Sequence, residues 1–304
     1  MKKIILKDIM FLITTVSLIV VLLIVVNVTA NGKTKPTSKS YLDSEKNSMS
    51  QNNIQNDIEN NAFKTTILNT GKSDCILIEI GNKAIMIDTG EDKNGEQIVN
   101  KLKEKGINTL DYLILTHLDK DHIGGVDSVL SSVKVNNLIQ ANYKKDSKQY
   151  DEYINSLKKT GIDPTVLKEK MNIVVNNAKI SIQPALKSEY ESSNDYSIIT
   201  SINYGEHNFL FAGDAEEKRL TEFISENTLK YDFVKIPHHG RYDKLSEAFL
   251  KSISPKYAAI TCSQKKEPDE EVLEILKKLD IKTFLTSNGG IVIDSDGNKL
   301  SVSQ

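Results

Sequence analysis

An apolar run, Leu110–Leu115, breaks directly into Thr116-His117-Leu118-Asp119-Lys120-Asp121-His122-Ile123-Gly124-Gly125, and this junction constrains the chain more than any other stretch. Its six residues from His117 to His122 hold two of the chain's five histidines and two aspartates. A short apolar run reads as a buried strand, and the polar loop at its end reads as a metal site. The competing reading is a strand-to-helix turn in which Asp121 and His122 cap a helix.

Three further strand ends repeat the pattern. Ile85-Met86-Ile87 ends in Asp88-Thr89-Gly90, and Phe209-Leu210-Phe211-Ala212-Gly213 ends in Asp214. Phe233-Val234-Lys235-Ile236-Pro237 ends in His238-His239-Gly240. The fifth histidine, His207, falls in a hairpin turn and is expected to face solvent. Each cluster has a purely structural explanation by itself. Asp88-Thr89-Gly90 suits a turn, and Asp214 with Glu217 three residues on suits a helix N-cap. Two histidines before a glycine could simply stack on a neighbour. Four such loops in one domain point instead to ligands converging on a hydrolytic metal centre. Imidazole nitrogens with carboxylate oxygens suit Zn²⁺, Mn²⁺ or Fe²⁺. A carboxylate opposite the histidines could touch two ions.

The remaining pattern is layered α/β. Strands are expected at Lys64–Asn69, Cys75–Ile80, Lys83–Asp88, Leu110–Leu115 and Val135–Ile139, and then at 172–175, 179–183, 197–203 and 208–211. Later ones follow at 232–236, 257–261, 282–285, 290–293 and 299–302. Helical spacing is read over 94–105, near 125–130, and over 148–159, 164–170, 215–225, 243–253 and 269–279. Runs of strands with helices between the groups favour stacked layers over strict βαβ alternation. Asp294-Ser295-Asp296-Gly297 is too short for a calcium loop and reads as a hairpin turn. A formal net charge of −2 and scattered lysine pairs leave no footprint for a polyanion. The two cysteines, Cys75 and Cys262, lack metal-type spacing, and Cys75 reads as a buried thiol.

The N-terminus is expected to lie outside this fold. Ile9–Val26 is an uncharged run of eighteen residues preceded by Lys2, Lys3 and Lys7. That length spans a bilayer, and the lysines keep the N-terminus cytoplasmic. Residues 1–30 therefore read as a membrane anchor, with a cleaved signal segment as the alternative. The protein is then single-pass in the cell membrane with its domain outside the cytoplasm, or secreted. Residues 31–61 are polar and read as a flexible linker, which leaves 62–304 as the folded domain.

From Phe63 onward, these motifs resemble the metallo-β-lactamase fold, and within it the hydrolase domain of the ComEC competence proteins. The resemblance rests on Thr70-Gly71-Lys72-Ser73-Asp74, on Asp88, on His117, Asp119, Asp121 and His122, on Asp214, and on His238-His239-Gly240. Aspartate at 119, where most of the superfamily has a second histidine, marks the ComEC branch. The resemblance implies a four-layered αββα sandwich and one or two divalent ions, zinc or manganese. It assigns His117, Asp119 and Asp214 to one ion, and Asp121, His122, Asp214 and His238 to the other. Asp121 would also orient the attacking water, and His239 would be a supporting partner or general acid. Asp74, Asp88 and Asp195 would support the site, Asp195 standing where other members carry a histidine. Arg241-Tyr242-Asp243-Lys244 replaces the branch's serine-rich turn, and Glu267-Pro268 replaces a His-Pro. The implied activity is phosphodiester hydrolysis, nuclease-like, on a phosphodiester or nucleic-acid substrate. Its alternatives are a non-catalytic surface module and an acyl hydrolase. No protein partner is implied.

Overall fold

The computed structural model describes residues 62–304, so the expected anchor (1–30) and linker (31–61) lie outside the described residues. No helix among the described residues is long and apolar enough to cross a membrane. In chain order the first strands are β1 Phe63–Ile67, β2 Ile76–Ile80, β3 Lys83–Ile87, β4 Thr109–Leu110, β5 Tyr112–Leu115, β6 Lys134–Val135, β7 Leu138–Gln140 and β8 Thr165–Val166. The next are β9 Met171–Val175, β10 Ala178–Gln183, β11 Ile199–Tyr204, β12 His207–Phe211 and β13 Phe233–Lys235. The last are β14 Tyr257–Ile260, β15 Lys282–Leu285, β16 Ile291–Ser295 and β17 Leu300–Ser303. The helices are α1 Gly95–Glu104, α2 Lys120–Ile123, α3 Val126–Ser132, α4 Lys148–Thr160, α5 Glu217–Glu226, α6 Ser246–Ile253 and α7 Glu270–Lys278.

These strands form two large sheets, ordered β17-β16-β1-β2-β3-β5-β7-β8 and β15-β14-β13-β12-β11-β10-β9. Alternation along each strand explains the layering. In β2, Ile76, Ile78 and Ile80 enter the core shared by both sheets, while Leu77 turns to the opposite face. In β12, Phe209 and Phe211 enter that same core while Leu210 faces the other way. Because both faces of each sheet are covered, these strands read as nearly continuous apolar runs. The outer face of the first sheet packs on Ile98 and Leu102 of α1, Val129 of α3, and Tyr153 and Leu157 of α4. The outer face of the second packs on Leu220 and Phe223 of α5, Phe249 and Leu250 of α6, and Val272 and Leu276 of α7. The layers therefore run α, β, β, α, as expected. Each fully buried Leu or Phe on those helices contributes about 1.5–3 kcal/mol.

Three local expectations are corrected. Residues 164–170 are not helical: Thr165 and Val166 form β8, pairing in parallel with Ile139 and Gln140. Thr165 and Val166, both β-branched and both exposed, favour extended backbone after Pro164, and the sheet edge tolerates the proline. His207 is 9% exposed rather than solvated, because its hairpin lies against Asp232. The hairpin turn expected at 294–297 falls at 296–299, between antiparallel β16 and β17, because Asp294 and Ser295 pair with Ser301 and Leu300. Both cysteines are buried and free.

The topology also places the site. β3 and β5 are parallel neighbours in one sheet, and β12, β13 and β14 are parallel neighbours in the other. Parallel strands put their C-terminal ends on one edge, and α/β folds assemble ligand sites there. The Asp88, His117–His122, Asp214 and His238–His239 loops all leave from such ends.

Candidate metal centre

Backbone turns aim the side chains. Asp88 adopts a left-handed conformation (φ 58°), unfavourable for a residue with a Cβ, and its amide donates to the Ile114 carbonyl at 2.9 Å. The turn carries its carboxylate across to Thr116, whose N–H and Oγ1 donate to it at 2.8 and 2.7 Å. The His117–His122 loop can come this close because Gly125 lacks a side chain. A Cβ there would lie 2.4 Å from the Thr89 carbonyl oxygen. His238 and His239 are consecutive left-handed residues (φ 48° and 53°), and their side chains leave in different directions.

His117, His122 and Asp214 form one converging group of potential ligand atoms, and Asp121, His122 and His239 form another. The His117 and His122 rings are 4.0 Å apart, and those of His122 and His239 are 5.4 Å apart. Asp214 Oδ2 lies 3.2 Å from His122 Nε2 and 3.1 Å from His239 Nε2, and Asp121 Oδ2 lies 3.6 Å from His239 Nε2. The three rings are almost wholly buried, and none of their Nε2 atoms meets hydrogen-bond geometry with a partner.

The Nδ1 atoms explain this arrangement. His122 Nδ1 donates to Asp88 Oδ2 at 2.7 Å. Thr261 Oγ1 spends its proton on Asp74 Oδ1 at 2.6 Å, so it accepts from His239 Nδ1 at 2.9 Å. Thr116 Oγ1 spends its proton on Asp88, so it accepts from His117 Nδ1 at 3.2 Å. All three imidazoles are thus anchored through Nδ1–H with Nε2 turned inward, the tautomer in which histidine binds metals. An unpartnered buried polar atom costs about 1–3 kcal/mol, and three in one place with carboxylates alongside suit a divalent cation. The residues present fit one.

Electrostatics follow the same plan. Burial would push the Asp214 carboxyl up, but His239, His122 and Lys235 outweigh it and hold the carboxyl well below the usual range. Burial lowers the His122 and His239 pKa values, yet Asp214, with Asp88 beside His122, raises both above the ordinary imidazole value. His117 is pushed down to about 3 by burial and by His122, so it is neutral and ready to donate a lone pair. Lys235, itself fully buried, lies 2.5 Å from Asp74 Oδ2, 3.0 Å from the Gly213 carbonyl oxygen and 3.4 Å from Asp214 Oδ1. It offsets negative charge on Asp74 behind the centre and on Asp214 within it.

Of the residues expected from sequence, His117, Asp121, His122 and Asp214 meet in the centre, with Asp88 and Asp74 directly behind. Four others are placed differently. His238, expected as a ligand, points to Glu216 Oε1 at 3.1 Å, and His239, expected as a supporting group, occupies the centre in its place. The His238 contact lowers Glu216 to about 2. Asp195 accepts the Arg219 N–H at 3.0 Å at the start of α5 and does not face the centre. Asp119 pairs with Lys145. Asp214 does not cap α5, whose N-cap is Glu216. Sequence reading missed Thr116, Thr261 and Lys235. A lysine inside the apolar run Phe233–Ile236 was the one available signal.

Residues 68–263 match the family model described as the metallo-beta-lactamase superfamily. ComE operon protein 3 of Bacillus subtilis (strain 168) is 25% identical over 203 residues, covering 65% of this chain and 26% of that protein. Recombination protein 2 of Haemophilus influenzae is 28% identical over 208 residues, covering 66% of this chain and 24% of that protein. The chain thus spans about a quarter of the length of these curated relatives. Among solved structures, the metallo-beta-lactamase fold protein YhfI from Bacillus subtilis superimposes with a TM-score of 0.52 at 14% identity, covering 77% of this chain and all of that one. With its two-sheet fold and its histidine–aspartate centre, the chain belongs to the metallo-beta-lactamase superfamily, with ComEC-like relatives.

Proposed function

We propose that the chain is a metal-dependent phosphodiesterase, nuclease-like, acting outside the cytoplasm from an N-terminal membrane anchor. The observation that carries the hydrolase reading is the set of three buried Nε2 atoms, none in hydrogen-bond geometry, that converge with the carboxylates of Asp214 and Asp121. A divalent ion held by these groups would lower the pKa of a bound water and would supply positive charge for the oxygen on which charge develops. The chain's own residues do the rest. Asp88 and Thr261 fix the rings, and Lys235 keeps Asp214 ionised and in place. Asp121 is the least buried of the carboxylates that face the centre, at 18% side-chain exposure, and is placed to orient an incoming water. His238, partly exposed, is held by Glu216 beside the centre.

The phosphodiester assignment is supported by the likeness to a relative named for recombination and by the aspartate at 119. Placement outside the cytoplasm is supported by Lys2, Lys3, Lys7 and the apolar run Ile9–Val26. The test is turnover of bis-(p-nitrophenyl) phosphate and of DNA by the purified protein with added Mn²⁺ or Zn²⁺, with nitrocefin as the acyl control. Turnover that is abolished in His122→Ala and Asp214→Ala supports the proposal. Bound metal with no turnover beyond those variants would leave a non-catalytic module, and nitrocefin hydrolysis alone would make it an acyl hydrolase.

A further inference from the structure

We propose that the centre takes one divalent ion, held among Asp121, His122, Asp214 and His239, and that the Lys145 ammonium, clamped on Asp119, stands where a second ion would otherwise bind. The inference rests on the reading that this centre holds divalent metal. It differs from the two-ion assignment, in which Asp119 is a ligand.

Asp119 is engaged through both of its carboxylate oxygens. Its Oδ1 is in very close contact with Lys145 Nζ and is 3.5 Å from the Tyr143 hydroxyl, and its Oδ2 accepts from Ser193 Oγ at 3.1 Å. Lys145 Nζ also donates to Ser193 Oγ at 3.0 Å, closing a triangle of ammonium, carboxylate and hydroxyl. Tyr143 is fixed from behind by accepting the Leu118 N–H at 2.6 Å and by stacking on Tyr196 at 4.2 Å. Both Asp119 oxygens are therefore committed, and Asp119 joins none of the converging ligand groups among the described residues.

The remaining ligand that a second ion would need is also absent from this side. Asp195, in the segment where a further ligand was expected, is turned away to the α5 N-terminus. Its neighbour Ser193 is taken by Asp119 and Lys145, and Asn194 donates to Glu216 Oε1 at 2.9 Å. That side keeps His117 with the His122 and Asp214 atoms already turned to the single ion, and no further ligand of its own. The other side differs: Lys72 approaches Asp121 only to 3.8 Å, beyond hydrogen-bond range, so Asp121 stays free to ligate. An ammonium and a divalent cation bound at adjacent positions repel, and a carboxylate shared between them would satisfy neither. The lysine supplies a permanent positive charge at the place where a second metal would have supplied an exchangeable one.

The test counts ions. Metal-free protein is titrated with Zn²⁺ and with Mn²⁺ by calorimetry, and retained metal per chain is measured by mass spectrometry. The expected results are one ion per chain in the native protein and in Lys145→Arg. In Lys145→Met, a second ion is expected to bind at least about tenfold more tightly than to the native protein, equivalent to about 1.4 kcal/mol. Lys145 is one-quarter exposed, so the substitution leaves the core intact. Asp119→Asn gives an independent check, with tight binding of the single ion unchanged. Two tightly bound ions in the native protein, an unchanged second-ion affinity in Lys145→Met, or loss of the single ion in Asp119→Asn would each overturn the proposal. These counts are read without turnover, so failure of the hydrolase reading shows separately, as one bound ion with no hydrolysis.

Discussion

Lys235→Met isolates the contribution of a cation buried behind the centre. Lys235 is 0% exposed and holds two carboxylates, Asp74 and Asp214, that are at most 3% exposed in their side chains. At an effective dielectric of about 20, charges about 4 Å apart attract by about 4 kcal/mol, and removing the lysine also removes its own desolvation cost. Breaking a buried pair by deleting one partner costs about 3–5 kcal/mol, a large share of a total stability of about 5–15 kcal/mol. In a domain of this size each kcal/mol is worth about 2–4 °C, so metal-free Lys235→Met should melt about 10 °C below the native protein. A saturating divalent ion gives Asp214 another cation, so the gap should narrow in the metal-loaded pair. Asp74→Asn placed on the Lys235→Met background should recover part of the loss, because it removes one stranded charge. The assay is thermal and urea unfolding followed by circular dichroism, with and without Zn²⁺. A metal-free loss below about 1 kcal/mol would refute the reasoning, since it would mean that Asp74 and Asp214 do not depend on this lysine.

Other outcomes follow from the same geometry. His239→Ala should lose bound metal while His238→Ala keeps it, read as metal per chain after gel filtration; the reverse result would restore His238 as the ligand. Thr261→Val breaks the Asp74–Thr261–His239 chain and should weaken metal affinity about 10–100-fold, with unchanged affinity counting against the anchoring role. Because the His122 and His239 pKa values are raised in the fold, their stabilisation of the metal-free protein is complete below about pH 6.5 and is lost as pH rises through the raised values. Metal displaces those protons, so affinity should climb as pH rises from about 6.5 through the raised values, with buffer-dependent heats of binding. A flat affinity across that range would contradict the assigned protonation.

Much of the centre was legible because its chemistry is concentrated in short stretches. His117, Asp121, His122, Asp88 and Asp214 each follow an apolar run, and the strand-end position alone marked them. The His238–His239 pair was legible as a pair but not in its division of labour. Two left-handed residues in succession decide which ring turns inward, and nothing in Pro-His-His-Gly states that both take φ near 50°. Thr261 carried no signal, since a threonine after a strand is ordinary and its role depends on Asp74, 187 positions away. The helix expected at 164–170 failed for a related reason: so short a run with few apolar positions has no decisive periodicity, and the free edge of β7 captured it as a strand.

By itself the sequence determined the layered α/β architecture, the apolar runs that form both sheets, and the set of imidazoles and carboxylates at strand ends, because periodicity and residue chemistry are local properties. Only the tertiary structure decided which of those groups meet. Parallel pairing of β3 with β5, and of β12 with β13 and β14, brings distant loops to one edge. Charge pairing then assigns the partners: fully buried Lys235 to Asp74 and Asp214, and the partly exposed Lys145 to Asp119. An ion pair buried between loops far apart in the chain is a property of the packed fold, where desolvation forces each charge to find a partner. The Thr116–Gly125 junction names the candidate ligands, and the packing around it determines which of them face the centre.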